Sequence, residues 1–521
     1  MKAPEQTLKP RWVPLWWILV AVAMLALFFG IWCFGQQLKY GDIVTGHRNP
    51  GYGGAAWGLY IVFYVFFVGV SFAGISVSAL SRLFHIEILK PATRIAELMT
   101  ISALIAGSCA VFADLGRPLN GLLDLPRLAR PQSPFYGTFT LVVAGYLFSS
   151  MVFFFLSARH DAAYMAEHGA RPLRWLYRLW ATGYRGSVAE QRRHNKSSFW
   201  LSVTILPLLV AAHSTLGFIF GIQAGRPGWF SALQAPAFVV LAGVSGTGMV
   251  ILALAAARKI FALEEEIPLL TMRWLTNLMA TLAMVYLYLM FVEELTSTYA
   301  APSADRQVAH VIVSGRYAPM FWITVGCLVL TFAIPFVMRL RKVTSLPLMI
   351  AVSLLANVAA LLKRFLIVVP SQTDGSFIPM EHSGYSPTII EYGIGAGLFG
   401  ILVLAVLLFG RIFPLVPSGT LLPASKTSGA DSRTRAWLRF GVASGVACAA
   451  LLMITVGLAD SFRLFSAGEL DPRIPYSPLI FAGGLMLLFC SAIAYEALPG
   501  TKSSSCVDVG QDEADLHEGT D

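Results

Sequence analysis

Twelve stretches of this chain run apolar almost without interruption. They lie near residues 15–35, 56–80, 94–114, 136–157, 199–222, 233–257, 272–295, 318–338, 346–369, 391–413, 438–458 and 476–497. Most are long enough for a helix to cross a bilayer, which takes about 20 residues. A barrel would instead show short segments of alternating polarity. The pattern predicts an all-α polytopic membrane protein, with Gly, Ala and polar residues diluting the last two spans. Most connections are short, so successive helices are expected to be antiparallel neighbours.

The polar positions within this pattern repeat. Arg94 opens one span and Asp114 closes it; Arg273 opens another and Glu293 closes it at the same separation. Each follows a span with a Gly/Ser-rich stretch, GVSFAG at 69–74 and GVSGTG at 243–248. Small residues at that density let helices approach closely. Four spans separate the copies, so both have the same membrane orientation. Two pseudo-repeated four-helix transmembrane bundles are expected, at 56–222 and 223–390. A peripheral helix and a periplasmic loop occupy 1–55, and peripheral helices fill 391–500. The polar, acidic stretch 501–521 reads as a disordered cytoplasmic tail.

Composition narrows the class. Of the 521 residues, 56% are hydrophobic and 13% charged, about half the charge of a soluble domain. The net charge of +9 is spread over short connections, so it reports topology and not nucleic-acid binding. One set of connections, with the N-terminus, holds about 26 of the 38 Lys and Arg, against about 10 on the other. That excess marks the cytoplasmic side. Both termini then lie in the cytoplasm, and the Asp114–Gly137 loop lies in the periplasm of a bacterial inner membrane. The first span begins like a signal peptide but is long and lacks a small-x-small cleavage site, so it reads as retained. The connection 158–198 sets Trp175, Tyr177, Leu179 and Trp180 among arginines. It reads as an interfacial segment on anionic lipid or as a docking site for a cytoplasmic partner.

Cysteine and histidine usage bears on cofactors. None of the six cysteines forms CxxC and five fall in apolar runs. They read as buried packing residues, not as ligands of an iron–sulfur or zinc site. Of nine histidines, His213 alone sits deep in a span, which leaves no pair for a transmembrane haem.

Ionisable residues inside apolar spans are costly and ask for a reason. Asp114 and Arg117 sit at a helix mouth stopped by Gly116 and Pro118. They are either interfacial anchors or part of a polar site. Glu97 either pairs with Arg94 or belongs to a proton path. His213 is a packing residue, a proton carrier or a donor to a quinone carbonyl. Glu293 and Glu294 match Lys363 and Arg364 in depth, as a structural ion pair or as a proton path. Glu391 opens a span, where a carboxylate suits the helix dipole or passes protons.

Six ordered motifs carry a resemblance. They are KPATRIAELMTISA at 90–103, DLGRP at 114–118, PQSPFYG at 131–137, HSTLGFIFG at 213–221, RPGWFSALQAPAFVVLAGVSG at 226–246 and YSPTIIEYG at 385–393. This set resembles the polysulfide reductase membrane subunit (NrfD-like) family. The extra first helix is similar to that of longer members, such as the quinone-binding membrane subunits of alternative complex III and related menaquinone-linked oxidoreductases. The resemblance implies an exchangeable menaquinone or ubiquinone, no haem and no iron–sulfur cluster of its own. It implies a ferredoxin-like iron–sulfur subunit on the periplasmic side, with a molybdopterin or multihaem cytochrome c subunit beyond. It also places the quinone in the first bundle near the periplasmic face, where Asp114, Arg117, Tyr136 and His213 would bind it and serve catalysis. Glu97, Glu293, Glu294, Lys363, Arg364 and Glu391 remain proton-path candidates. The rival readings are a secondary transporter and a structural or proton-translocating anchor. Transporters favour inverted repeats and a midplane site, whereas here the repeat is parallel and most charges lie near one face.

Overall fold

The computed structural model describes residues 10–47, 54–121, 123, 140–184, 186–299, 301–375, 384–417, 433–467 and 477–497. Tyr136 and the tail 501–521 lie outside them. The helices are α1 (Val13–Tyr40), α2 (Leu59–Leu83), α3 (Thr93–Asp114), α4 (Phe148–His168), α5 (Arg174–Ala181), α6 (Val188–Gly221) and α7 (Gln234–Ile260). They continue as α8 (Leu269–Tyr299), α9 (Ser303–Val313), α10 (Ala318–Leu340), α11 (Leu346–Val368), α12 (Ile389–Ile412), α13 (Arg433–Ala467) and α14 (Ser477–Ala497). Among the described residues, eleven helices are long and apolar enough to cross a membrane. The chain is a polytopic all-α membrane protein. Eleven of the twelve apolar stretches fall on these helices. The fourth, 136–157, meets π-helical turns at Thr140–Leu147 and then α4, which runs on through the charged ARHDAAYMAEH.

Helix α2 is the axis of the molecule. Its apolar window is 94% buried, and it packs against α3, α6 and α7. Helices α2, α3, α4 and α6 form one packed group; α7, α8, α10 and α11 form another. The two Gly/Ser stretches meet where α2 crosses α7: Gly69 faces Ser245, and a Cβ on Gly246 would stand 2.7 Å from the Val70 carbonyl. The small residues set the close approach of the two groups, because helix backbones this near leave no room for side chains.

Helices α1 and α12 form a pair, with 22% of the apolar window of α1 and 61% of that of α12 buried. They pack along each other at Gly30 and Gly397, where a Cβ on Gly30 would lie 2.9 Å from Gly397 Cα. Helix α12 also packs on α3, so the pair closes the end of the first group that carries Asp114. At the opposite end, α5 sets Tyr177 and Trp180 inward. Tyr177 donates to the Ile412 carbonyl at 2.5 Å, and Trp180 stacks on Phe413 at 4.8 Å between ring centres. Its Trp175 and Leu179 face outward. Cysteine burial is mixed: Cys33 and Cys327 are buried, but Cys109 and Cys448 are exposed. An apolar run places a cysteine in the membrane without choosing which helix face it takes.

Candidate functional site

Helix α3 ends at Asp114 because Gly116 takes a left-handed conformation, φ +61°, which costs glycine least. A Cβ on Gly116 would come within 2.7 Å of Asp42 Oδ2, so this corner packs on the chain leaving α1. The end of α1 contributes Gln37, which is buried. It donates to Asp42 Oδ1 and to the Ala113 carbonyl, each at 2.9 Å, and accepts from Tyr60 Oη of α2 at 2.8 Å. One amide thus ties α1, α2 and α3 together around Asp114.

Helix α12 delivers the second carboxylate. Glu391 is fully buried and closes a capping box with Thr388. It accepts from the backbone N–H of Gly46 at 2.7 Å and of Thr388 at 2.9 Å, and from the Tyr385 hydroxyl. Tyr385 Oη itself accepts from the Leu59 N–H at the start of α2, at 2.7 Å. Between the carboxylates stands His47, its Nε2 3.4 Å from Glu391 Oε1 and 4.0 Å from Asp114 Oδ1. The Tyr60 ring meets the imidazole edge to face at 5.3 Å. Asp114 Oδ1 is buried and accepts no hydrogen bond among the described residues. Such an atom is expensive unless a ligand or water supplies a donor.

His47 lies outside the spans, and its pKa is raised above the ordinary imidazole value. Burial opposes the charge, but the contact with Glu391 and the fields of Asp114, Glu391 and Asp42 more than offset it. Burial and Glu391 raise the Tyr385 phenol as well, so it remains a donor at neutral pH. A raised folded-state pKa gives a stability contribution that is complete below about pH 6.5 and lost as pH rises through the raised value. The stability gap between wild type and His47→Gln should therefore narrow as pH climbs from about 6 to about 9. Thermal unfolding of both proteins across that range measures it; a constant gap would remove His47's charge from the account.

The other candidates fall elsewhere. Arg117 is exposed, and the structure brings His47, not Arg117, to Asp114. His213 is buried in the middle of the bundle, with Nδ1 2.8 Å from the Leu209 carbonyl and Nε2 2.8 Å from the Val68 carbonyl. Both ring nitrogens are occupied by backbone. Tyr136 lies outside the described residues.

Glu97 does not pair with Arg94. It accepts from Ser78, from Arg82 at 3.2 Å and from Ser157 at 2.7 Å. Arg94 instead binds Asp161 of α4 at 2.5 Å and donates to the Pro414 carbonyl at 3.1 Å. Each finds a partner on a different helix, because buried charges need several hydrogen bonds and one neighbour cannot supply them. Beside them a cavity of about 430 Å³ is lined by Arg82, Arg94, His160, Asp161, Tyr184 and His194, among others. In the second group, Lys363 binds Glu293 at 2.9 Å and stands 4.0 Å from Glu294. Arg364 does not share that pair. It lies over the Phe238 ring at 4.0 Å and donates to the Phe238 carbonyl at 3.3 Å.

Sequence reasoning overlooked Gln37, Asp42, His47, Tyr60 and Tyr385 as members of this site. His47 reads as a histidine in a loop or near a span end and Tyr385 as part of a span opening, while Gln37, Asp42 and Tyr60 carry no local signal. No local pattern joins them, since the joining is done by the packing of α1 on α12 and of α12 on α3.

Residues 44–374, well over half of the chain, match the family model described as polysulphide reductase, NrfD. The chain belongs to this family. Three relatives agree. The chain is similar to a putative dimethyl sulfoxide reductase membrane subunit of Halobacterium salinarum, 28% identical over 77% of this chain and 91% of that protein. It is also similar to a selenate reductase subunit of Mesobacillus selenatarsenatis, 24% identical over 70% and 86% respectively. A third relative is the Hdr-like menaquinol oxidoreductase integral membrane subunit of Archaeoglobus fulgidus, 24% identical over 77% and 93%. The matched stretch of this NrfD protein contains His47, Asp114, Glu293 and Lys363. It stops short of Glu391, so one carboxylate of the cluster comes from outside it.

Proposed function

We propose that this NrfD-family protein is the quinol-binding membrane subunit of an oxidoreductase complex. The observation that carries the reading is the buried, unpartnered Oδ1 of Asp114 beside His47 and Glu391. A quinol hydroxyl donates well to such an oxygen. Protonated, His47 balances the two carboxylates and holds them apart in a fixed geometry. Quinol oxidation releases two electrons and two protons. Asp114 accepts one proton, hands it to water on its own side and then accepts the second. The electrons leave to an iron–sulfur cluster in a partner docked over this end, beyond which stands a molybdopterin or multihaem subunit. The names of the relatives, a menaquinol oxidoreductase subunit and subunits of two reductases, support menaquinone and a multisubunit setting. The excess of Lys and Arg at the opposite end supports placing Asp114 in the periplasm, with both termini in the cytoplasm of a bacterial inner membrane.

In this reading Glu391 belongs to the quinol cluster. Glu97, Glu293, Glu294 and Lys363 are ionic joints of the two bundles, and Arg364 holds the Phe238 ring and carbonyl beside them. Glu97 lies 17 residues before Asp114 on α3, roughly 25 Å away along a helix, too far to take part in the first proton transfer. Photolabelling of membranes with an azido-quinone tests the assignment. Label on peptides holding His47, Tyr60 or Asp114 is expected, whereas label confined to peptides of Glu293 and Lys363 would move the site to the second bundle.

A further inference from the structure

The C-terminal helix pair encloses a second feature, separate from the quinol site. Helix α13 packs chiefly on α14, through Gly457 against Phe481 and Gly484 against the backbone of Ala450 and Ile454. Helix α14 in turn sits on α4 and α6. Glu496 fixes it there, 3.1 Å from Arg159 Nη1 and 3.0 Å from His194 Nδ1, and accepts from Ser197. Among the described residues, α13 makes little contact with α6. Between them runs a groove of about 380 Å³, floored by Leu488 and Phe489 of α14 and walled by Trp200 and Leu201 of α6 and by Ala443 and Ala447 of α13.

We infer that this groove holds an acyl chain of an anionic phospholipid whose phosphate rests against Lys196. Three features carry this. The walls are apolar and belong to spans, so in a bilayer hydrocarbon fills the groove. Trp200 and Phe440 line it and are more than half exposed, so it opens sideways to lipid. Its charged lining residue is Lys196, exposed one turn beyond the exposed Arg192 on α6. Positive charge gathered at one end of an apolar slot complements a phosphate above an acyl chain. An isoprenoid tail would fit the slot but has no use for that charge. The lipid would bridge α13 to α6, joining the C-terminal pair to the core.

The test uses the full-length protein reconstituted in vesicles of phosphatidylcholine mixed with phosphatidylglycerol, re-extracted in mild detergent, with retained lipids counted by native mass spectrometry. Wild type should keep phosphatidylglycerol in preference to phosphatidylcholine. Lys196→Gln should lower that preference about fivefold, the weight of one basic residue beside an anionic surface. Ala447→Trp fills the groove with apolar bulk and should remove the retained lipid; if it does not fold, Ala447→Leu serves, and Lys196→Gln decides independently, since its side chain is exposed. Quinol turnover of Lys196→Gln should match wild type, which separates this inference from the quinol reading. Equal preference in wild type and Lys196→Gln would overturn the proposal. So would lipid retained unchanged in the filled groove, or loss of quinone instead of phospholipid from it.

Discussion

Asp114→Asn should lower quinol oxidation by about 100-fold or more, in the range for loss of a general base, while the subunit still assembles with its partners. The substitution keeps the shape of the side chain and the Gly116 corner. It removes the oxygen proposed to accept the quinol proton. The structure also predicts which neighbours matter. His47→Gln and Glu391→Gln should each depress turnover, because one removes the charge between the carboxylates and the other disturbs the Tyr385, Gly46 and Thr388 contacts that seat it. Arg117→Ala should stay within about twofold of wild type, as exposed substitutions away from a site usually do. Sequence position alone makes Arg117 the partner of Asp114; the fold does not. Glu293→Gln should leave quinol oxidation per assembled complex largely intact. The measurement is oxidation of a quinol analogue by membranes, normalised to assembled complex. Normal turnover in Asp114→Asn, or a large loss in Arg117→Ala with Asp114 intact, would sink the assignment.

Arg94→Met should cost about 3–5 kcal/mol of stability, the usual penalty for stranding one member of a buried ion pair. Arg94 and Asp161 are each 2% exposed and 2.5 Å apart. Removing the guanidinium takes from the buried Asp161 carboxylate its partner at 2.5 Å and leaves the His160 ring 3.3 Å away. It also frees the Pro414 carbonyl that Arg94 holds, loosening the chain after α12. Replacing both charges, Arg94→Met with Asp161→Leu, should recover most of the loss, because two apolar residues of similar size replace a buried pair at little net cost. Unfolding of the single and double variants in the same detergent separates the cases. A single variant within about 1 kcal/mol of wild type would show that the pair is solvated through the adjoining cavity.

Much of the architecture was legible in the sequence because a bilayer leaves few choices. Runs of about 20 apolar residues must be helices, since lipid offers no partner for an open backbone. The stop at Asp114 was legible too, from Gly116 and Pro118, and so was the family, from ordered motifs around DLGRP. The Gly/Ser stretches at 69–74 and 243–248 announced a close helix crossing, and the structure sets them against each other.

The partners of the charges were not legible. Glu97 follows Arg94 by three residues and looks paired with it, yet Glu97 binds Arg82 and Ser157 while Arg94 binds Asp161. Lys363 and Arg364 are adjacent, yet Lys363 alone reaches Glu293. His47 and Glu391 are separated by most of the chain. Helix periodicity is local: it fixes which residues share a face, and with the apolar runs it fixes how deep they lie. Which face meets which neighbour depends on the rotation and packing of helices whose contacts are nearly equal in hydrophobicity. In this protein the sequence by itself determined the spans, the position of Asp114 at a helix mouth and the family. The tertiary structure decided that α1 packs on α12 and α12 on α3, and with that choice it set a loop histidine between Asp114 and Glu391.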